Sequence, residues 1–399
     1  MNDFAKKIKQ LLPQMVEWRR HLHQYPELSY REQQTSNFIY EKLINLGLDV
    51  QKDVGGFGIR AFLRGNKASP VVALRADIDA LPIQDEKNCD YASKVPGVMH
   101  ACGHDAHTSG LLGVAHLLAE YRHELNGSVV FIFQPAEEVS PGGALAMIRD
   151  GALQNVDVIY GIHLWSPFPN GHVYSVSGPM MAIADEFTIE IVGKGGHGGL
   201  PHNTVDSIVA GAQVVANVQT IVSRNIDPLE PCVVSIGSFQ AGTAFNVIAE
   251  RAKLTGTVRA FSENIRQSVK ARLSSIVANT CETYGTQYNY EYKEGYPAVV
   301  NHEKEANRFF SVANHTFGAD HTHISPLIMA AEDFSYYLQQ VPGCFMFVGA
   351  GDDQKKAVYP HHHPMFDIDE QAMANAALLF IEMTLHYFRE WNEPASENL

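Results

Sequence analysis

Residues 99–107, MHACGHDAH, place metal-binding side chains close together. Cys102 and His104 are separated by one glycine, and a thiolate and an imidazole at this spacing are good ligands for a divalent metal such as Zn²⁺. A free cysteine is more often a small buried hydrophobic residue, and the chain holds 19 histidines, so this pair alone is weak evidence. The prediction therefore depends on ligand-type residues elsewhere in the chain.

Further ligand-type residues follow apolar runs that are typical of buried strands. Along the whole chain, the candidates are Cys102, His104, Glu138, His163 and one of His361, His362 and His363. Five protein ligands are more than one tetrahedral zinc with an open position needs, so the set predicts two metal ions with one shared ligand. Two-metal hydrolytic sites hold their ions about 3.5–4 Å apart and clamp a nucleophilic water. We expect His100 and His107 to support the ligands.

Carboxylates next to these ligands supply the remaining chemistry. Because Glu137 and Glu138 are adjacent, their side chains diverge, so one is expected to bind metal while the other faces the water as general base. A carboxylate near a ligand histidine typically accepts its second ring N–H and fixes the tautomer. Asp79 in RADIDALP is the candidate for this role, and Asp77 could also fill it. The residue pattern leaves that choice open.

A second candidate region, residues 193–202, displays His197 in a loop rich in glycine. Glycine lets the backbone approach a ligand closely, so His197 is a candidate hydrogen-bond donor to a developing oxyanion. An ordinary surface histidine is an alternative of equal weight. Asn246 and Arg259 are weaker candidates, although an arginine can bind a carboxylate through two hydrogen bonds.

The apolar pattern predicts a scaffold that brings these residues together. The predicted buried strands cover residues 71–82, 128–138 and 156–165, and the helical segments cover residues 16–48, 108–121 and 144–150. This alternation indicates an α/β catalytic domain with a mostly parallel sheet and helices on both faces. Functional residues of such sheets gather at the carboxyl ends of strands, where Asp77, Glu137 and His163 are predicted to lie.

The pattern changes at about Ala184. Segments in the order β-α-β-β-α-β match the ferredoxin-like split unit. The α/β pattern then returns, with a buried strand at 345–351 and a closing helix at 369–391. The predicted organisation is a catalytic domain of residues 1–183 and 297–399, interrupted by an inserted α+β domain of residues 184–296.

Composition is that of an ordinary globular protein, with 45% apolar and 19% charged residues. A formal net charge of −14 argues against nucleic acid or an anionic membrane as the partner. The five cysteines are scattered without CxxC spacing, which favours free thiols in a reducing compartment. We find no apolar segment of membrane-spanning length and no signal-type apolar run, so a cytoplasmic location is expected.

Taken together, the motifs resemble the metal-dependent N-acyl-amino-acid amidohydrolases. This group includes hippurate hydrolases, auxin-conjugate hydrolases and N-acetyldiaminopimelate deacetylases, and it is related to aminoacylases and dizinc carboxypeptidases. The matching segments run nearly end to end: RRHLHQYPELSYRE, LRADIDALP, MHACGHDAHT, FQPAEE, GIHLW, GKGGHGGLPH, AFNVI, GTVRAF, AEDFSYY and HHHPMFDID.

The resemblance implies a role for each candidate. The implied metal ligands are Cys102, His104, Glu138, His163 and His362, with Glu137 as general base and acid and Asp79 as the orienting carboxylate. His362 stands two residues before Pro364, as the ligand does in the LHSP-like sequences of relatives. The resemblance also implies two divalent ions per subunit (Zn, Mn, Co or Ni), substrate binding by His197, and a homodimer, or alternatively a tetramer, formed through the inserted dimerisation and lid domain.

The predicted reaction is hydrolysis of an N-acetyl or aroyl amino acid, a small molecule, to a carboxylate and a free amino acid. Asn246 and Arg259 are candidates for holding the carboxylate of that substrate. One alternative is a dipeptidase or carboxypeptidase with the same two-metal site, and another is a metal- or ligand-binding relative without activity. The intact Glu137–Glu138 pair argues against the inactive alternative.

Overall fold

The structure, a computed structural model, describes residues 4–351 and 358–392. Its helices are α1 (Phe4–Gln24), α2 (Gln33–Asn45), α3 (His104–Glu120), α4 (Ala144–Arg149), α5 (Ser207–Thr220), α6 (Glu263–Thr283), α7 (Glu303–Thr316), α8 (Ser335–Leu338) and α9 (Ala372–Asn392). Its strands are β1 (Asp49–Val54), β2 (Gly58–Leu63), β3 (Val71–Asp77), β4 (Ser128–Gln134), β5 (Val158–Pro169), β6 (Val173–Ser175), β7 (Gly178–Met181), β8 (Ile183–Val192), β9 (Gly196–His197), β10 (Cys232–Ala241), β11 (Val247–Ile248), β12 (Arg251–Ala260), β13 (Gln287–Lys293), β14 (Val299–Asn301), β15 (Thr322–Ile324) and β16 (Gly343–Gly351).

The chain divides into two compact units. The first unit comprises Met1–Met180, Val300–Pro326 and Asp333–Leu399, and the second comprises Met181–Val299 and Leu327–Glu332. The ends of the predicted catalytic domain, at 1–3 and 393–399, lie outside the described residues. Of the helices in the described part of the chain, none is both long and apolar enough to cross a membrane.

The first unit contains an eight-stranded sheet with the order β1-β2-β4-β3-β5-β16-β6-β15. Its centre is parallel, from β4 through β3 and β5 to β16. Every residue of β3 and β4 is buried, which explains why both strands read as continuous apolar runs. The prediction of an α/β fold with a large, mostly parallel sheet is confirmed.

Two features of this unit differ from the sequence-based prediction. Strands β1 and β2 form an antiparallel hairpin at the sheet edge. Most residues of β1 (DVQKDV) are charged or polar and at least partly exposed, so its sequence contains no apolar run that would predict a strand. Helix α3 begins at His104, not at Thr108, because Gly103 with φ of 93° ends the preceding loop there. The helix is buried almost all round, so amphipathic periodicity did not mark its start.

The second unit contains a four-stranded antiparallel sheet with the order β10-β12-β8-β13. Its elements follow one another as β8-α5-β10-β12-α6-β13, the predicted ferredoxin-like arrangement. Alternate residues of β8, including Phe187, Ile189 and Ile191, pack with residues of α5 and α6 in a separate core. The short strands β9 and β11 form their own ribbon.

Candidate metal and catalytic site

Three neighbouring strands of the first unit position most of the candidate residues. Asp77 ends β3, and Glu137 and Glu138 follow the end of β4 by a few residues. The sequence predicted that His163 lies at the end of its strand. In the structure β5 continues to Pro169, paired with β16. The pairing of β5 with β3 stops at Arg75 and Gly161, and the same parallel register places His163 level with Asp77, the last residue of β3.

Cys102 Sγ lies where two groups of ligand-type atoms meet. The sulfur is 3.4 Å from His163 Nε2 and 3.7 Å from His361 Nδ1. Ligand atoms of Cys102, His104 and Glu138 form a second group within 4.8 Å of one another. His362 reaches the same place, with Nε2 3.3 Å from Glu138 Oε1. The thiol is thus shared between two groups, of which the first contains His361, while the predicted ligand His362 contacts Glu138 of the second.

The rings of His104 on α3 and His163 on β5, both candidate ligands, are oriented in the same way. His104 Nδ1 lies 2.9 Å from the carbonyl oxygen of Asp79 and 3.2 Å from its carboxylate. His163 Nδ1 lies 2.9 Å from the carbonyl oxygen of Leu164. A neutral ring that donates from Nδ1 to such an oxygen has an unprotonated Nε2, which is the form that binds metal.

Asp77 has a different partner from Asp79. Its carboxylate lies 2.6 Å from His107 Nδ1 and accepts a 2.7 Å hydrogen bond from Arg75. The backbone N–H of Leu164 donates to His107 Nε2 over 2.9 Å, so both nitrogens of His107 are engaged. In the structure Asp79 contacts Nδ1 of His104 and Asp77 contacts Nδ1 of His107, while Asp77 Oδ1 also lies 3.7 Å from His104 Nε2.

The site has a strongly negative environment. Burial opposes the charged form of His104, but the nearby carboxylates of Asp77, Asp79 and Glu138 outweigh it and raise the pKa of His104 to about 10. Burial, together with the carboxylates of Glu138 and Glu137, raises the pKa of the Cys102 thiol well above its usual value. Cations would compensate this excess of negative charge.

The contacts of His104 and the chemistry of the neighbouring side chains indicate that the site can bind metal. Within the described part of the chain, His104 Nε2 is buried without a hydrogen-bond partner, and it lies 3.8 Å from Glu138 Oε1. A buried polar atom without a partner is costly, and a metal ion would satisfy it. Thiolate, imidazole and carboxylate ligands together suit transition metals such as Zn²⁺. The residues present therefore fit two divalent ions.

Helix α1 contacts the start of α3 through a buried cluster of charged and polar side chains that the sequence did not predict. Arg19 donates to Asp105 over 3.0 Å, and His23 Nδ1 lies 2.7 Å from the same carboxylate oxygen. Asp105 directly follows the candidate ligand His104, so this cluster holds the first turn of α3 in place. The only sequence signal was the motif RRHLHQ, whose partners are far away in the chain.

A tight turn after β4 presents Glu137. Ala136 has φ of 54°, unusual for a residue other than glycine, and its N–H donates to the buried carboxylate of Glu32 over 2.8 Å. The N–H of Glu138 donates to Asp79 over 3.1 Å. Glu137 is 6% exposed, so its carboxylate is largely shielded from water beside the candidate ligand Glu138.

The remaining candidates belong to the second unit. His197 is exposed, and its Nδ1 accepts a 3.0 Å hydrogen bond from the N–H of Gly199, which leaves the proton on Nε2. Asn246 directly precedes Val247, the residue that pairs with His197 across the β9–β11 ribbon. Arg259 lies on a different sheet, in β12, and donates to the carbonyl oxygen of Val258 over 3.0 Å and to Thr257 Oγ1.

Comparison with known proteins identifies the family. A family model described as peptidase family M20/M25/M40 matches residues 73–386. The chain belongs to this family. An N-acyl-L-amino acid amidohydrolase of Geobacillus stearothermophilus is 47% identical over 303 residues, 76% of this chain and 82% of that protein.

Two proteins of Bacillus subtilis extend the comparison across nearly the whole M20 chain. An N-acetyl-L-cysteine deacetylase is 40% identical over 370 residues, 92% of this chain and 87% of that protein. The crystal structure of YxeP, a dinuclear metal-binding peptidase of the M20 family, superimposes with a TM-score of 0.82 at 34% identity, covering 96% of this chain and 99% of that one.

Proposed function

We propose that this M20 protein hydrolyses the amide bond of N-acyl amino acids, releasing a carboxylate and a free amino acid. One observation carries the proposal, namely that Cys102 Sγ belongs to two groups of ligand-type atoms at once. A thiolate in this position suits two ions. The amidohydrolase and the deacetylase among the relatives act on amides of this kind, as their names state.

The proposed metal ligands are Cys102, His104, Glu138, His163 and His362. The contacts of the ring nitrogens support the choice of His362 among the three consecutive histidines. His362 Nε2 faces Glu138, whereas His363 Nδ1 accepts a 2.9 Å hydrogen bond from the N–H of Met365. Zn²⁺, Mn²⁺, Co²⁺ and Ni²⁺ are all compatible with these donors.

The proposed mechanism assigns the proton transfers to Glu137. Divalent ions bound at the site would polarise the amide carbonyl and acidify a water molecule. Glu137 takes the proton of that water at its carboxylate and later delivers it to the nitrogen of the leaving amine. Its burial beside Glu138 supports this role, because a carboxylate removed from bulk water holds a transferred proton rather than losing it to solvent.

The second unit supplies substrate contacts in this proposal. Nε2–H of His197 donates to the oxyanion that develops on the amide carbonyl, and Asn246 and Arg259 hold the carboxylate of the amino acid. We further propose that residues 184–296 form a dimerisation and lid domain inserted into a catalytic domain of residues 1–183 and 297–399. The expected assembly is a cytoplasmic homodimer, and sedimentation velocity would measure its mass.

A substrate panel tests the proposed reaction. N-acetyl and N-aroyl amino acids, together with dipeptides, would be assayed for amine release after loading with Zn²⁺, Mn²⁺, Co²⁺ or Ni²⁺ in turn. Higher kcat/KM for the N-acyl amino acids supports the proposal. Higher kcat/KM for the dipeptides would make the protein a peptidase, and no amine release with any metal would make it a binding protein.

A further inference from the structure

His361 lies against Cys102 but is not one of the proposed ligands. Its Nδ1 is 3.7 Å from Cys102 Sγ. Its ring stacks on the ring of Trp165, with 4.4 Å between the ring centroids and 29° between the ring planes. The centroid of the Phe366 ring lies 5.0 Å from that of His361. The ring is therefore held in one orientation, with Nδ1 towards the sulfur.

A backbone contact determines where His361 carries its proton. The N–H of Ser166 donates to Nε2 of His361 over 3.2 Å. A neutral imidazole that accepts at Nε2 has its proton on Nδ1, the nitrogen that faces Cys102.

We infer that Nδ1–H of His361 donates a hydrogen bond to the Cys102 thiolate and so positions and tunes the sulfur that the two metal ions share. The inference rests on the proposed function, because it requires Cys102 to bind metal as a thiolate. A hydrogen bond to a ligand atom withdraws electron density from it and fixes its direction. His361 is thus a positioning residue for the reaction.

Binding of metal by His361 itself is the main competing role. Such binding through Nδ1 would move the ring proton to Nε2, where it would meet the N–H of Ser166, and two donors would then point at each other. Strand β5 supplies Ser166, Trp165 and the ligand His163. The same strand therefore orients the ligand on one side of the sulfur and the hydrogen-bond donor on the other.

Three substitutions of His361 separate these roles in the cobalt-loaded protein. The amide nitrogen of asparagine occupies nearly the position of Nδ1, and that of glutamine nearly the position of Nε2, while phenylalanine keeps only the ring that stacks on Trp165. Removing a hydrogen bond raises the energy of the sulfur lone pairs. The absorption band for charge transfer from thiolate to Co²⁺ should therefore shift to longer wavelength in His361→Phe and His361→Gln, and stay near the wild-type wavelength in His361→Asn.

Cobalt content and melting temperature would be measured alongside the spectra. Two ions per chain in all three variants, with the band shifted as described, supports the inference. A band at the same wavelength in His361→Phe and in the wild type would overturn it, as would loss of cobalt from all three variants, which would make His361 a ligand. If the wild type lacks the band altogether, Cys102 is not a thiolate ligand, and the proposed ligand set fails together with this inference.

Discussion

The N–H of Leu164 donates to Nε2 of His107 over 2.9 Å, while Asp77 lies 2.6 Å from the other ring nitrogen. This contact excludes His107 from metal binding although it lies one turn along α3 from His104. In His104 the Nδ1 atom is tied to Asp79 and Nε2 remains available, so similar rings serve different purposes. The contact from the backbone of β5 thus favours His104 over His107 as a metal ligand.

Replacement of Glu137 by Gln tests the proposed general base. We expect kcat to fall about 10²- to 10⁴-fold, because the amide can neither accept nor deliver the proton. Elemental analysis should still find two ions per chain, since Glu137 is not a proposed ligand. Glu137→Asp is the matched control and should retain more activity. Turnover near that of the wild type in Glu137→Gln would end the general-base assignment.

Replacement of Cys102 by Ala tests the shared ligand. The variant loses the one side chain that belongs to both ligand groups, so both ions should bind more weakly. We expect metal affinity to drop by more than the roughly 10- to 100-fold typical of a supporting residue. Equilibrium dialysis followed by elemental analysis measures it. Cys89→Ala, at a cysteine outside these groups, is the control, and equal metal content in both variants would contradict the prediction.

The proposed role of His197 as an oxyanion donor can be tested with variants that place a hydrogen-bond donor at one ring-nitrogen position or the other. Because Gly199 donates to Nδ1, the group offered to an oxyanion is Nε2–H. His197→Ala should lower kcat about 10²- to 10³-fold, the usual effect of removing one oxyanion donor. His197→Gln places an amide donor near Nε2 and should recover part of this loss, whereas His197→Asn should not. Equal rates in the Gln and Asn variants would assign His197 to another role.

Much of the site could be predicted because the buried strands carry their own signal. The apolar runs that end near Asp77 and Glu137 mark β3 and β4, whose carboxyl ends lie side by side in the sheet. The edge hairpin of β1 and β2 gave no such signal, since four of the six residues of β1 (DVQKDV) are charged or polar.

The pairing of carboxylates with histidines could not be predicted from spacing. Asp77 and Asp79 are two residues apart near the end of β3, and His104 and His107 are three apart on α3, so either pairing was possible. Only the packing of the helix against the strand selects Asp79 for His104. The role of His361 was equally hidden, because it depends on a backbone N–H of Ser166.

The raised pKa of the buried Glu32 carboxyl predicts that the stability of the protein depends on pH. Its buried carboxylate accepts hydrogen bonds from the N–H groups of Tyr30 and Ala136. Burial, with the charge of Asp79 adding to it, raises the pKa of Glu32 from 4.5 to about 7. The folded protein therefore holds this proton more strongly than the unfolded chain. Stability gained from it is complete below about pH 4.5 and is lost as the pH rises to about 7.

Glu32→Gln stays neutral and keeps an oxygen for the two N–H groups. Between pH 5 and pH 8, the free energy of unfolding of the wild type should fall relative to that of the variant by about 2.5 kcal/mol, with a slope of up to about 1.4 kcal/mol per pH unit that levels off above about pH 7. Urea denaturation of the metal-loaded protein at both pH values measures the difference. Glu41→Gln, an exposed position on α2, is the control and should follow the wild type. If Glu32→Gln also follows the wild type at both pH values, the carboxyl of Glu32 is already ionised at pH 5.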